Sequence, residues 1–315
     1  MSKDHQNQQG QYSNNFHSHP ASLWSFFFKR HEDPLFSKLR VTMIILIIYS
    51  TIVVIGQSFF DKLFDKMQVA NLGQFHLIFS FVISILIAFR VNSSYARWWE
   101  GRGYWGSLVN NSRNLAMKFN NFIGLKNNPL FTNCLENFPD LFKYSLRKHR
   151  LEAEQIVRDL GLKFNPNDHL PSVVIHNMYS CINKYRKSGA ITLEQYLAMD
   201  VHLAGFVDLV GGCEKIVNTR IPAPFKIFVK QALYFYMFIF PFGWAETFGI
   251  LIIPIIIVFV YILLGMEILA EDIEDPFEEN YCGHSNNLQL EAIALNIKNN
   301  VKSIASFEEE YASSN

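Results

Sequence analysis

Residues 41–60 read VTMIILIIYSTIVVIGQSFF, a stretch without a single charge. A helix needs about 20 mostly apolar residues to cross the hydrocarbon of a bilayer, so this stretch reads as a membrane span. Three further stretches meet the same test. Residues 72–90, LGQFHLIFSFVISILIAFR, stop at Arg90 and carry His76, Ser80 and Ser84, polar groups that suit a face turned toward protein or water. Residues 227–244 hold Lys230 and Gln231 near their start and end at Pro241, Phe242 and Gly243. Residues 248–265, FGILIIPIIIVFVYILLG, tolerate Pro254 because neighbouring helices can satisfy the carbonyl it frees. The three residues between these last two spans imply a tight turn back into the bilayer.

Composition agrees with a membrane class. Half of the 315 residues are hydrophobic, 15% are aromatic with Phe alone numbering 29, and only 18% are charged. Roughly a quarter would be charged in an ordinary soluble domain. A formal net charge of zero offers no field to attract nucleic acid, so a DNA or RNA partner is discarded. Cys134, Cys181, Cys213 and Cys282 are far apart and the histidines scatter, so neither a metal site nor any other cofactor is expected. Residues 1–24, rich in Asn, Gln, Ser and His, read as a disordered cytosolic tail and cannot be a cleaved signal peptide.

Lys and Arg set the orientation. Lys29, Arg30, Lys38 and Arg40 precede the first span, Arg90, Arg97 and Arg102 follow the second, and Arg220 and Lys226 precede the third. Both termini and the long middle segment are therefore expected in the cytosol of a multi-pass cell-membrane protein. Helical periodicity runs through that segment. The second span continues as a long helix toward Phe122, followed by helical patterns near 140–160, 172–187 and 192–218, with Thr192 and Gln195 as a capping box for the last. A final helix is expected over 288–311. The fold class is all-α, with four membrane helices and a helical cytosolic part. No internal repeat supports an inverted-repeat transporter.

Residues 90–106, RVNSSYARWWEGRGYWG, place Arg97, Glu100 and Arg102 with Tyr95, Trp98, Trp99 and Trp105 at the exit of the second span. They read either as an interfacial belt of amphipathic rings and snorkelling stems or as a packed network in which Glu100 neutralises an arginine. Either role is architectural. This stretch closely resembles the signature of the bestrophin family, in particular its bacterial branch. LVGGCEKIVNTRIPAPF at 209–225 and GMEILAEDIEDPF at 265–277 resemble it as well, in the same order. The resemblance covers about residues 25–300, leaving 301–315 as a C-terminal tail.

The resemblance implies a homopentameric ion channel whose second helix lines a central pore with a hydrophobic neck. Counting back from Arg97, the neck falls on Phe81, Ile85 and Phe89. These positions share one helical face, and five copies would stack three apolar rings able to gate by dewetting. The family's second apolar ring, at the cytosolic mouth, aligns loosely with Leu197. Arg220 stands where the family often has proline.

The acidic run Glu267, Glu271, Asp272, Glu274, Asp275, Glu278 and Glu279 invites a calcium reading. The dense aspartate cluster of the animal relatives is missing after Phe277, and a solvated helix end is the expectation. Chloride or other monovalent anions are the expected permeant ions, with a cation-selective channel of the same fold, or a non-conducting scaffold, as alternatives. Phenylalanine edges favour anions and faces favour cations, and sequence does not fix the ring angle. No GxSxG, HExxH or glycine-rich phosphate loop suggests an enzyme.

Overall fold

The computed structural model describes residues 34–63, 66–279 and 288–312, and every regular element among them is a helix. In chain order these are α1 (Pro34–Leu63), α2 (Lys66–Phe122), α3 (Pro129–Leu146), α4 (Arg150–Asp159), α5 (Leu170–Lys187), α6 (Leu193–Asn218), α7 (Ala223–Phe248), α8 (Ile252–Glu274) and α9 (Leu290–Ala312). The expected N-terminal tail lies outside the described residues. Four segments are long and apolar enough to cross a membrane: Ser37–Gly56, Gly73–Phe122, Leu193–Asn218 and Ala223–Glu274, the last holding both α7 and α8. Three of them take in the four expected spans. The segment on α6 passes by length and composition alone; it carries Glu194, Asp200, Asp208, Glu214 and Lys215. The protein is an all-α polytopic membrane protein.

Sequence reasoning differs from the structure in three places. A single helical pattern near 140–160 is two helices, divided at Lys148, whose φ of 61° lies in the left-handed region. The helix of the third span does not stop at residue 244 but runs through Pro241 and on to Phe248, and a 3₁₀ turn at Gly249–Leu251 leads into α8. A proline inside a membrane helix is tolerated where neighbours re-satisfy the backbone. Helix α9 crosses the boundary expected at residue 300, and Val301 and Ile304 are buried.

The chain divides into two compact units, Met1–Ser80 with Leu233–Gly265, and Phe81–Ala232 with Met266–Asn315. In the first, Leu39, Met43, Leu46, Ser50 and Val53 form a buried stripe on α1, while Ile44, Ile48, Ile52 and Ile55 stay exposed. A helix apolar all round suits hydrocarbon on the outer side. Tyr49 donates to the Phe238 carbonyl at 2.9 Å and stacks on its ring. His76 is buried with its ring 3.9 Å from that of Tyr236, and its Nδ1 accepts from Trp244 Nε1 at 3.4 Å. Of the polar residues expected on the second span, His76 is thus turned toward protein, while Ser80 is half-buried and Ser84 is exposed.

The second unit holds a continuous core in which Phe119 stacks on Phe131, Trp105 on Phe142, and Phe138 meets Phe206 edge-on. Cys134, Cys181 and Cys213 are free and buried within it. Burial pushes the Cys134 thiol up to about 12, so it stays protonated near neutral pH. Helix α6 starts at the expected capping box: Gln195 N donates to Thr192 Oγ1, and Thr192 N to Gln195 Oε1.

Helices α2 and α6 run antiparallel with a seven-residue repeat on each side. Lys118 donates to the Ala198 carbonyl at 3.0 Å, Asn111 fills the hole over Gly205, and Tyr104 fills the hole over Gly212. A Cβ on Gly205 would stand 2.6 Å from Asn111 Nδ2, and one on Gly212 would overlap the Tyr104 ring. Seven-residue spacing keeps such a seam facing its partner along the whole contact. Beside Asn111, His202 Nδ1 donates to Oδ1 at 3.1 Å while its Nε2 accepts from Lys118, so the imidazole is neutral.

Near the start of this unit Arg90 is fully buried. Its Nη2 donates to Glu274 at 2.9 Å and its Nη1 to Ser94 Oγ at 2.9 Å. Its Nε lies 3.4 Å from Glu267 Oε1 and 3.3 Å from Oε2, the second contact lacking hydrogen-bond geometry. Lys226 reaches Glu274 at 3.3 Å, so two cations balance two carboxylates.

Removing one member of such a cluster leaves a buried charge unpaired and costs about 3–5 kcal/mol, whereas removing all of its charges costs far less. Arg90→Met should therefore sharply lower the melting temperature and yield of detergent-solubilised protein. Adding Glu267→Gln and Glu274→Gln should recover much of the loss, and no recovery would show that the cost is not electrostatic. Gly212→Ala should cost about 1–3 kcal/mol by overpacking. Thermal unfolding should show that loss relieved by Tyr104→Ala; equal instability of the single and double variants would refute the seam.

Candidate permeation path

Phe81, Ile85 and Phe89 project side by side from α2 and are 69%, 40% and 63% exposed. The opposite face of the same turns, Ile83, Ile87 and Arg90, is buried. The helix is thus held by one face while three large apolar side chains, a turn apart, are left largely open on the other. Arg90, directly after Phe89, anchors the end of this segment from behind.

The charged and aromatic residues that follow divide their work differently from the expected network. Arg97 donates to three backbone carbonyls: Ile216 at 2.7 Å, Thr219, and Glu274 at 3.1 Å. One guanidinium so caps the C-terminal ends of both α6 and α8, where carbonyls lack helical donors. Glu100 faces Lys215 at 3.5 Å and accepts from the Tyr104 hydroxyl at 3.3 Å, and both ionic groups are well exposed. The arginine that is neutralised in the interior is Arg90, and its partners come from the GMEILAEDIEDPF stretch. Arg102 is exposed and lies over Gly106. Trp98 packs on the core and is ringed by Tyr95 and Trp99 at 6.1 and 6.4 Å, with Trp99 exposed.

Leu197 lies on an exposed apolar stripe of α6 that also contains Leu193 and Val201, and Val201 is the most exposed at 66%. The spacing i, i+4, i+8 is legible in the sequence and would have brought out Leu193 and Val201 together with Leu197.

The acidic run is largely matched by bases. Glu267 and Glu274 hold Arg90, Glu271 meets Lys230 at 2.8 Å, Asp275 meets Arg220 at 3.5 Å, and Glu279 lies 3.6 Å from Arg147. Arg220, where the resemblance implied proline, thus has an acidic partner. A cavity of about 270 Å³ opens beside the last two pairs, lined by Arg147, Lys148, His149, Asp275, Glu278 and Glu279 among others. Among the described residues no group of His, Cys, Asp or Glu is arranged to hold a metal ion. Positions 280–283, which follow the run, lie outside the described residues.

Residues 16–303 match the family described as Bacterial/Fungal Bestrophin protein. A voltage-dependent anion channel-forming protein of Nostoc sp. is 31% identical over 245 residues, covering 72% of this chain and 76% of that protein. One of the same description from Synechocystis sp. is 24% identical over 319 aligned positions, covering 92% and 95%. Among solved structures, a variant of a bacterial bestrophin homolog from Klebsiella pneumoniae superposes with a TM-score of 0.74 at 21% identity. That match covers 85% of this chain and 98% of the other, and it speaks for the fold. The family match over most of the length, joined by a relative above 30% identity, places the chain in the bacterial/fungal bestrophin family.

Proposed function

We propose that five copies of this chain form an ion channel in a cell membrane, with α2 lining a central pore and small monovalent anions as the permeant species. The observation that carries this reading is the exposed triplet Phe81, Ile85 and Phe89, backed by a buried face on the same helix. Five copies give three stacked rings of Phe, Ile and Phe. A narrow apolar bore holds water poorly and strips hydration from an ion, so it serves as the neck and gate. Leu197 and Val201 are proposed for a second constriction at the cytosolic mouth.

Anion conduction is supported by the relatives named for it. The Lys and Arg that flank the spans support a cytosolic position for both termini. Arg97, Trp98, Trp99, Glu100 and Arg102 are assigned structural roles at the foot of the neck, with no part in catalysis.

Purified protein in a planar bilayer under a potassium chloride gradient tests the charge preference. The reversal potential should lie toward the chloride equilibrium potential; the opposite sign would make the channel cation-selective, and absence of current would favour a scaffold. Phe81→Ala, Ile85→Ala and Phe89→Ala together should raise single-channel conductance several-fold, on the order of the change expected from removing a dewetting constriction. An unchanged conductance would reject these residues as the neck.

A further inference from the structure

The exposed stripe of α2 that carries the neck continues far beyond it. Stepping by three or four residues, the same face runs through Asn92, Trp99, Ser107, Asn110, Asn114 and Asn121, with Ala, Gly and Met at 96, 103 and 117. Asn114 is half-buried and the other members of the stripe are exposed, while Trp105, Leu108, Ser112, Leu115 and Phe119 on the opposite face are buried. No side chain on the stripe ionises. Arg102 and Arg113, also exposed, lie roughly a quarter turn aside at about 100° per residue.

Hydrocarbon is an unfit solvent for four amides, because a polar group without partners is costly there. Asn92 to Asn121 also extends about 44 Å at 1.5 Å per residue, beyond the roughly 30 Å of a bilayer core. The orientation of two amides follows from their partners. Asn114 Nδ2 donates to the Asn110 carbonyl at 3.0 Å, and Asn121 Nδ2 to the Met117 carbonyl at 2.8 Å. Only the nitrogen end can donate to a carbonyl, so each Oδ1 is the atom left turned away from its own backbone.

We infer that this stripe is the wall of the ion path beyond the neck, and that Asn110 and Asn114 face the passing ion as uncharged positions, where an introduced charge would impose a charge preference. The inference rests on the pore reading of α2. An uncharged amide wall solvates an ion of either sign without trapping it, and leaves discrimination to the neck. A fixed charge at position 110, repeated five times around the axis, would act on any ion passing within a Debye length of about 8–10 Å.

The test compares wild type, Asn110→Asp, Asn110→Lys and the triple-alanine neck variant in planar bilayers under a potassium chloride gradient. Asn110→Asp should move the reversal potential toward potassium and Asn110→Lys toward chloride. The change in permeability ratio should be about three-fold or more near 0.1 M salt and smaller at 1 M, where screening is stronger. Reversal potentials equal to wild type in both, with conductance altered by the neck variant, would overturn the inference and leave the pore reading standing. If the neck variant also changed nothing, the pore reading would fall with it. Should the charged variants not assemble, Asn110→Cys treated after assembly with cationic and anionic methanethiosulfonate reagents supplies the same two charges. Opposite shifts would support the wall, and a thiol that does not react would place position 110 in a subunit contact and overturn it.

Discussion

A full positive charge with no access to water must be neutralised by its own chain, and Arg90 imposes this constraint on the second unit. Its guanidinium is fixed to Glu267 and Glu274 of α8, with Lys226 on the far side of Glu274. Such a cluster contributes little net stability compared with an apolar replacement, but leaving any member alone is severely penalised. It therefore acts on register. Helix α2 cannot slide or rotate against α8 without stranding a charge, and the turn that is held belongs to the residue directly after Phe89.

Two further contacts extend this control along the same helix. Arg97 gathers carbonyls from the ends of α6 and α8, groups that a helix cannot satisfy internally. The seven-residue seam then locks Tyr104, Asn111 and Lys118 of α2 to Gly212, Gly205 and Ala198 of α6. Each contact uses half-buried side chains of α2 that lie off the exposed stripe. What is left is a single open face, apolar through residue 89 and amide-rich after it.

The membrane helices were legible because hydrocarbon imposes a length and a polarity that local sequence must meet. Phe81, Ile85 and Phe89 could be placed on one face by spacing alone, although their role came from the family resemblance. The arginine that is neutralised in the interior could not be read, since the 184 residues that separate Arg90 from Glu274 hide a contact of 2.9 Å, and Arg97 bonds to carbonyls, which carry no residue signature. The split at Lys148 was hidden for a related reason. A left-handed φ at a lysine, rather than glycine or asparagine, leaves no mark in composition, whereas the capping box at Thr192 has a sequence signature and was found. Nothing in the sequence sets Gly205 and Gly212 apart from other glycines; the opposing Asn111 and Tyr104 side chains explain why no Cβ fits there.

The change of chemistry along the open face bears on how a channel of this design would discriminate between ions. At the proposed neck the side chains are large and apolar, so an ion there would lose hydration and gain only ring edges or faces in return. Beyond it the amides of Asn110, Asn114 and Asn121 offer dipoles that replace water without a net charge. Placing the strong barrier in a short segment and a neutral wall after it lets an ion leave as readily as it arrives, because no fixed charge holds it. Of the charges that α2 carries, Arg90 and Arg97 are directed away from the stripe and are consumed by carboxylates and carbonyls of the fold, while Glu100, Arg102 and Arg113 lie to either side of it. The electrostatics that secure the helix are thereby kept apart from those met by the ion, and the first can be strong while the second stay weak.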